Sequence, residues 1–270
     1  LEEAGSDTAS LDAQVILAHI MDKERAWLFA HYDQALTQEE AESFADLVAR
    51  RAAAEPVAYL VGHREFYGLD LMVDQRVLIP RPETELLVDA VLDHIESRAD
   101  QHVRMADVGT GSGAISVAVA SNCPSVQIYA VDLSPWALEV AEENVRRHDS
   151  RQQITLLQGD LLSPLPEPVD IIAANLPYIT SGDYQNLMAD VRDYEPRLAL
   201  EAGPEGLDLI ERLLDQTPAH LLPGGVLFLE IGANQGNAVL ELVERLLPQA
   251  RHIGLRQDYH GFDRLVVIGL

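Results

Sequence analysis

The chain has little lysine, cysteine or aromatic content, and it has no long apolar run. Lys23 is the only lysine, and 19 basic residues face 44 acidic ones, for a formal net charge of −25. A surface this acidic repels polyphosphate, so DNA or RNA is disfavoured as the primary ligand and no stable nucleic-acid binding is expected. Surplus carboxylate with almost no lysine also suits a protein that must stay hydrated in concentrated salt, and a halophilic source is therefore expected. Cys123 is the sole cysteine. It has no partner for an internal disulfide or a structural zinc site, so no metal is expected. No segment approaches the roughly 18 uninterrupted apolar residues of a membrane helix, and no charged-then-apolar leader opens the chain. A soluble, cytoplasmic protein is the expectation. The chain opens on Leu1, which leads us to expect a trimmed or incomplete N-terminus.

At 270 residues with 47% hydrophobic content, the chain suits one large domain plus a smaller one. Residues 6–59 read as helical: Leu11, Val15, Leu17, Ala18 and Met21 recur at helical spacing, with Ser6, Asp7 or Ser10 as caps. A short helix or turn is expected at 27–32. T-Q-E-E at Thr37 is a capping-box pattern that opens a helix over 37–51. His19 and His31 read as surface or packing residues. Residues 56–82 change character, with two short strands, 66–73 and 77–79, expected across a turn at Asp74 and Gln75. Pro80 and Pro82 then break regular structure around Arg81, and Glu83 and Thr84 lead into a helix over 86–95. Arg81 and Glu83 fit either a salt bridge at the helix start or a place in a functional site.

From residue 103 strands and helices alternate. Strands are expected at 103–108, 126–131, 154–157, 169–174 and 226–230, with a closing pair at 252–256 and 265–268. Helices are expected at 114–120, 135–148, 206–220 and 234–246. Repeated β-α units imply an α/β, doubly wound, mainly parallel sheet covered on both faces, with ligands at the carboxyl ends of its strands.

Chemistry-bearing residues gather at those ends. Gly109, Thr110, Gly111, Ser112 and Gly113 follow the first strand, where glycine lets backbone approach a ligand in front of a helix N-terminus. Dinucleotide enzymes use a similar turn, so the glycine run taken alone is a weak signal. Asp132 ends the second strand, where a carboxylate can accept both hydroxyls of a ribose. Asp160, with Leu161, follows the third and can accept from the exocyclic amine of an adenine. The fourth strand stops in Asn175, Leu176, Pro177 and Tyr178. The proline pushes Leu176 toward an extended conformation, so the Asn175 side chain and the Leu176 carbonyl can face one way. Two acceptors beside an aromatic face suit a planar group carrying an NH2. A plain turn after a strand has the same composition.

Taken together, ADVGTGSGA, the strand-two aspartate and the N-x-P-Y motif resemble a class I S-adenosylmethionine-dependent methyltransferase acting on an amino group. REFYGL and VLIPRPETELLVD, preceded by a helical segment, resemble the release factor glutamine methyltransferases (the PrmC or HemK family). So do DYEPRLAL at 193–200, GLDLI at 206–210 and LFLEIG at 227–232. The resemblance covers nearly the whole chain. It implies a helical substrate-docking domain over 1–60, a β-hairpin linker over 61–82, and a seven-stranded methyltransferase domain over 83–270. S-adenosyl-L-methionine would be held by Gly109, Thr110, Gly111, Ser112, Gly113, Asp132, Asp160, Leu161 and Asn175, and released as S-adenosyl-L-homocysteine. Asn175, Leu176, Pro177 and Tyr178 would be catalytic, and Pro80, Arg81, Pro82, Glu83 and Thr84 would be substrate contacts or site wall. The implied substrate is the glutamine of the Gly-Gly-Gln loop of class 1 peptide chain release factors, made N5-methylglutamine by a monomer.

One departure stands in the motif. The family pattern is N-P-P-Y, and Leu176 replaces the first proline, as in the dimethyladenosine rRNA enzymes that N-L-P-Y resembles. An N6-adenine methyltransferase acting on rRNA or DNA is thus the alternative, and a non-catalytic nucleotide-binding module is a third reading. The charge balance is tested by thermal denaturation: the melting temperature is expected to hold or rise as KCl approaches molar levels, and a monotonic fall removes the salt adaptation.

Overall fold

The computed structural model describes residues 1–98 and 102–270. Its contacts divide the chain into two compact units, Leu1–His63 with Leu187–Tyr194, and Arg64–Asn186 with Glu195–Leu270. Among the described residues no helix is long and apolar enough to cross a membrane.

The first unit contains α1 (Ala9–Ile20), α2 (Arg25–Ala30), α3 (Gln38–Ala52) and α4 (Val57–Val61). T-Q-E-E forms the capping box it encodes: the Glu40 backbone N–H donates to the Thr37 hydroxyl, and the Thr37 N–H donates to the Glu40 carboxylate at 2.7 Å. None of the expected caps holds the start of α1, where Thr8 is the N-cap residue and makes no side-chain cap bond. Ser6 and Thr8 donate to the Asp12 carboxylate at 2.9 and 2.8 Å, and Arg51 of α3 joins them at 2.7 Å. Asp12 therefore turns inward, and Leu11 is left 41% exposed. The His31 ring stacks on Trp27 and the His19 ring lies 6.4 Å from that of His63, both packing contacts.

A hairpin follows, in which β1 (His63–Phe66) and β2 (Leu69–Met72) pair as a two-stranded sheet. Its turn is Tyr67–Gly68, with φ of 52° and 74°. Positive φ at both central residues is the turn that matches strand twist, and glycine adopts it without steric cost. A turn does form at Asp74 and Gln75, where the Val77 N–H returns to the Asp74 carbonyl, but the strand expected at 77–79 is not found. The Asp74 carboxylate accepts from the Arg76 N–H at 3.0 Å. Ile79 N–H donates to the Glu195 carboxylate at 3.1 Å. With these donors directed locally and at a carboxylate, residues 77–79 run as an irregular segment.

The remaining elements are α5 (Glu85–Ser97), β3 (Arg104–Val108), α6 (Ala114–Asn122), β4 (Gln127–Asp132), α7 (Pro135–Arg147), β5 (Ile154–Gln158), β6 (Val169–Asn175), α8 (Ala189–Tyr194), α9 (Asp208–His220), β7 (Leu221–Glu230), α10 (Gly236–Leu246), β8 (His252–Gln257) and β9 (Asp263–Gly269). Of these, α8 falls in the first unit. The strands form the expected seven-stranded sheet in the order β5-β4-β3-β6-β7-β9-β8, parallel except for β9.

Alternate side chains feed two cores. Ile171, Ala173 and Phe228 pack with α5 and α6, while Ile172, Ala174, Leu227 and Leu229 pack with α9 and α10. Central parallel strands are apolar on both sides for this reason. The chain runs outward from β3 through β4 and β5, then resumes on the other side of β3 with β6. That reversal opens a crevice at the carboxyl ends of β3 and β6.

Asn144 of α7 fixes the hairpin to this crevice. Its Oδ1 accepts from Met72 N–H at 2.7 Å, and its Nδ2 donates to the Met72 and Ser112 carbonyls at 2.9 Å each, all fully buried at Asn144. Asn144→Ala strands a buried N–H and two carbonyls, and it is expected to cost about 3 kcal/mol in urea unfolding.

Candidate active site

At the end of β3 the backbone turns at Gly109, whose φ is +75°. A β-carbon here would stand 3.1 Å from Leu176 Cδ2 and 3.5 Å from the Asn175 carbonyl oxygen. Glycine is thus required by conformation and by the approach of the chain leaving β6. The Gly109 and Thr110 N–H groups donate to the Val131 carbonyl, which holds the turn against β4.

Beneath the turn lies Asp107, fully buried. Its Oδ2 accepts from the Thr110 hydroxyl at 2.7 Å and the Ser116 hydroxyl at 2.6 Å, and its Oδ1 has no partner. Burial raises its pKa, against those bonds. Asp132, ending β4, accepts from Gly111 N–H and Ser134 N–H, each at 2.9 Å. Burial raises its pKa too, opposed by backbone donors. Asp160 is engaged by the Arg212 guanidinium through Oδ2.

At the end of β6, Asn175 Nδ2 donates to the Thr84 hydroxyl at 3.0 Å. Asn175 and Glu230 are register partners across β6 and β7. Glu230 is 2% exposed, with Oε2 unpartnered. Burial pushes its carboxyl up to about 7, although Thr84, Arg264 and Asn175 favour the charged form.

These ends surround a cavity of about 180 Å³. Gly109, Gly111, Asp132, Asp160, Leu161, Asn175, Leu176 and Pro177 line it, over an apolar floor that includes Val108 and Val131. Thr110, Ser112 and Gly113 stand outside the lining and build the turn: Thr110 bonds Asp107, the Ser112 carbonyl accepts from Asn144, and Gly113 caps α6. Tyr178 also stands outside it. Its carbonyl accepts from Gln235 at 3.0 Å, and burial raises the pKa of its phenol, followed by the charge of Glu230.

Pro80, Arg81, Pro82 and Glu83 are absent from the wall. Arg81 pairs with buried Glu195 at 2.5 Å, and not with Glu83 as a helix-start salt bridge requires. Thr84 reaches the site from behind, through Asn175. Sequence reasoning missed Arg76, Val77 and Leu78, and also Pro196, Leu198 and Ala199, all of which line the cavity. It also missed Glu230, although an acid closing the apolar run LFLEIG was a visible signal.

Comparison with known proteins identifies the family. A family model described as the PrmC N-terminal domain matches residues 1–62, and one described as a methyltransferase small domain matches 83–191. The chain is 43% identical to a release factor glutamine methyltransferase of Moorella thermoacetica, over 98% of this chain and 92% of that protein. The chain belongs to the release factor glutamine methyltransferase family. A family member from Rhodopirellula baltica is 40% identical over 97% of this chain and 90% of its own length. A methyltransferase structure from Pyrococcus furiosus shares the fold at 16% identity, with a TM-score of 0.55, covering 83% of this chain and 98% of that one.

In this family member, Glu230 sets a pH dependence of stability. A carboxyl raised on folding favours the native state fully below its unfolded pKa of 4.5, and that contribution is lost as pH rises through about 7. Glu230→Gln, which has no charge to bury, is expected to melt at least ~3 °C above the unaltered protein near pH 8, with the difference shrinking toward pH 5 in calorimetry.

Proposed function

We propose that this chain transfers a methyl group from S-adenosyl-L-methionine to the side-chain nitrogen of the glutamine in the Gly-Gly-Gln loop of class 1 peptide chain release factors. The products are N5-methylglutamine and S-adenosyl-L-homocysteine, and the enzyme acts as a cytoplasmic monomer. The observation that carries this reading is the commitment of Asn175 Nδ2 to Thr84, which leaves Oδ1 as the free acceptor of a residue lining the cavity.

The wall suits the cofactor by its donor set. Gly109 leaves a cradle that a β-carbon would fill. Asp132 offers carboxylate oxygens to ribose hydroxyls, and Asp160 keeps Oδ1 for an exocyclic amine while Arg212 holds Oδ2. Both guanidiniums at the wall are paired, Arg212 with Asp160 and Arg76 with Asp74 and Glu139, which favours a ligand without phosphate. Bound there, S-adenosylmethionine supplies a methyl carbon made electrophilic by its sulfonium.

The chain's own task is positioning. A carboxamide nitrogen is a weak nucleophile because its lone pair is delocalised into the carbonyl. Asn175 Oδ1 and the Leu176 carbonyl each accept one of its hydrogens, which fixes the plane and directs the nitrogen for in-line displacement. Pro177 holds the backbone that carries the second acceptor. As the new N–C bond forms, the sulfur–carbon bond breaks and its electron pair stays on sulfur. The proton leaves the nitrogen for water afterwards, so no side chain need act as base. Leu176 departs from the family proline, yet its carbonyl is retained and its side chain fills the space over Gly109, 4% exposed.

Labelled S-adenosylmethionine offered with a release factor, with the same factor lacking the loop glutamine, and with rRNA tests the reading. Label is expected in the first alone, and label in rRNA instead supports the adenine alternative. Asn175→Ala is expected to lower transfer at least ~100-fold while S-adenosylhomocysteine affinity stays within about tenfold, or ~1.4 kcal/mol, by calorimetry.

A further inference from the structure

Glu230 ends β7 directly beside Asn175 at the end of β6. It is buried, its Oε2 lacks a partner, and the reaction as derived gives it no task. Keeping an ionisable group there against the cost of desolvation asks for a use.

Counting protons supplies one. Thr84 Oγ1 accepts an N–H from Asn175, so its single hydrogen must go elsewhere. Both the Thr84 hydroxyl and the Asn175 amide favour the ionised form of the Glu230 carboxylate, which stands beside Asn175 in the sheet. An ionised carboxylate only accepts, so it holds the Asn175 NH2 inward and leaves the amide oxygen for the cavity. A protonated carboxyl carries a donor of its own, which it can give to the Thr84 oxygen or to an Asn175 oxygen turned inward. The Asn175 NH2 can then swing toward the cavity, where it meets the substrate NH2 donor to donor.

We infer that Glu230, acting through Thr84, is a positioning residue that keeps the Asn175 amide oxygen toward the cavity, and that its ionised carboxylate is the form competent for transfer. The inference rests on the glutamine reading given above. Around Glu230 the charged and titratable groups are Glu83 ahead of α5, Arg264 of β9, and Tyr178 beyond β6, with Arg81 beside Tyr178. Arg264 is itself paired with Asp258 at 3.2 Å, and His94 of α5 meets β7 two residues away at Phe228. Burial dominates this set and pushes the carboxyl up to about 7, so both forms are populated near neutrality.

The test is kcat and KM for methyl transfer to a release factor by the full chain between about pH 5.5 and 8.5, with S-adenosylhomocysteine affinity measured alongside. The kcat of the unaltered protein is expected to rise about tenfold from pH 6 to pH 8, with little change in KM. Glu230→Gln gives a lower kcat and a flat profile. Thr84→Val, which removes a donor to the carboxylate, moves the limb to higher pH, and Thr84→Ser returns it. S-adenosylhomocysteine affinity within about twofold of the unaltered chain marks a folded variant, and should Glu230→Gln fail that criterion, the Thr84 pair decides. A limb that persists unmoved in Glu230→Gln, or in Thr84→Val, overturns this inference and leaves the function standing. No transfer by the unaltered chain overturns the function and the inference with it.

Discussion

The contact on which the site depends is the Leu176 side chain lying over Gly109. Neighbouring strands sit about 4.8 Å apart, but the segments leaving them usually diverge, and here they are brought back together. A β-carbon at residue 109 would come within 3.1 Å of Leu176 Cδ2, so the missing side chain sets how near the ends of β3 and β6 approach. Because they do approach, the glycine turn and the pair of acceptors after β6 line one cavity rather than two. For an in-line displacement, that shared geometry is the main catalytic contribution a protein can make.

The same region holds four carboxyl groups, three of them buried and Asp132 partly so, and each is handled differently. Asp107 takes two hydroxyls, Asp132 two backbone N–H groups, and Glu195 a guanidinium with the Ile79 N–H. Glu230 has a hydroxyl and an amide that favour its charged form, and one oxygen without a partner. Only Glu195 is matched by a cation at hydrogen-bond distance, so desolvation is left partly uncompensated and the other three have raised pKa values. What the cost secures is orientation. Asp107 fixes the turn from below, Asp132 pins Gly111, Glu195 anchors the irregular segment that forms one wall, and Glu230 backs the acceptor amide. Groups fixed before the reaction need no reorganisation during it.

The sheet was legible because its strands are buried on both faces and read as unbroken apolar runs between helical periods. That Gly109, Gly111, Asp132 and Asn175 line one cavity was legible because the crevice of such sheets lies at the strand ends. Failures fell where side chains satisfy the backbone. The hairpin turn was misplaced because Tyr67 reads as a strand residue, yet its N–H donates to Glu85 at 3.0 Å and its phenol to Asp89 at 2.7 Å, which holds it at positive φ. Likewise Pro80, Arg81, Pro82 and Glu83, expected as substrate contacts or site wall, do not line the cavity. The partner that draws Arg81 aside, Glu195, lies more than a hundred residues away, beyond what local pattern can show.

On the proposed reading, the tetrapeptide after β6 recognises only the shape of a planar NH2, and an amide and an adenine present the same shape. Leucine in place of the first family proline makes the ambiguity explicit, since the acceptor at residue 176 is backbone whichever side chain is present. What separates the two substrates is their surroundings. A nucleic-acid base arrives on a polyanion, and a chain of net charge −25 with a single lysine opposes that approach at long range. A glutamine arrives on a polypeptide, which carries no such obligatory charge. The discrimination that the motif cannot make is therefore carried by the acidity of the rest of the chain, and the arginines at the cavity wall, already spent on Asp160, Asp74 and Glu139, do not reverse it.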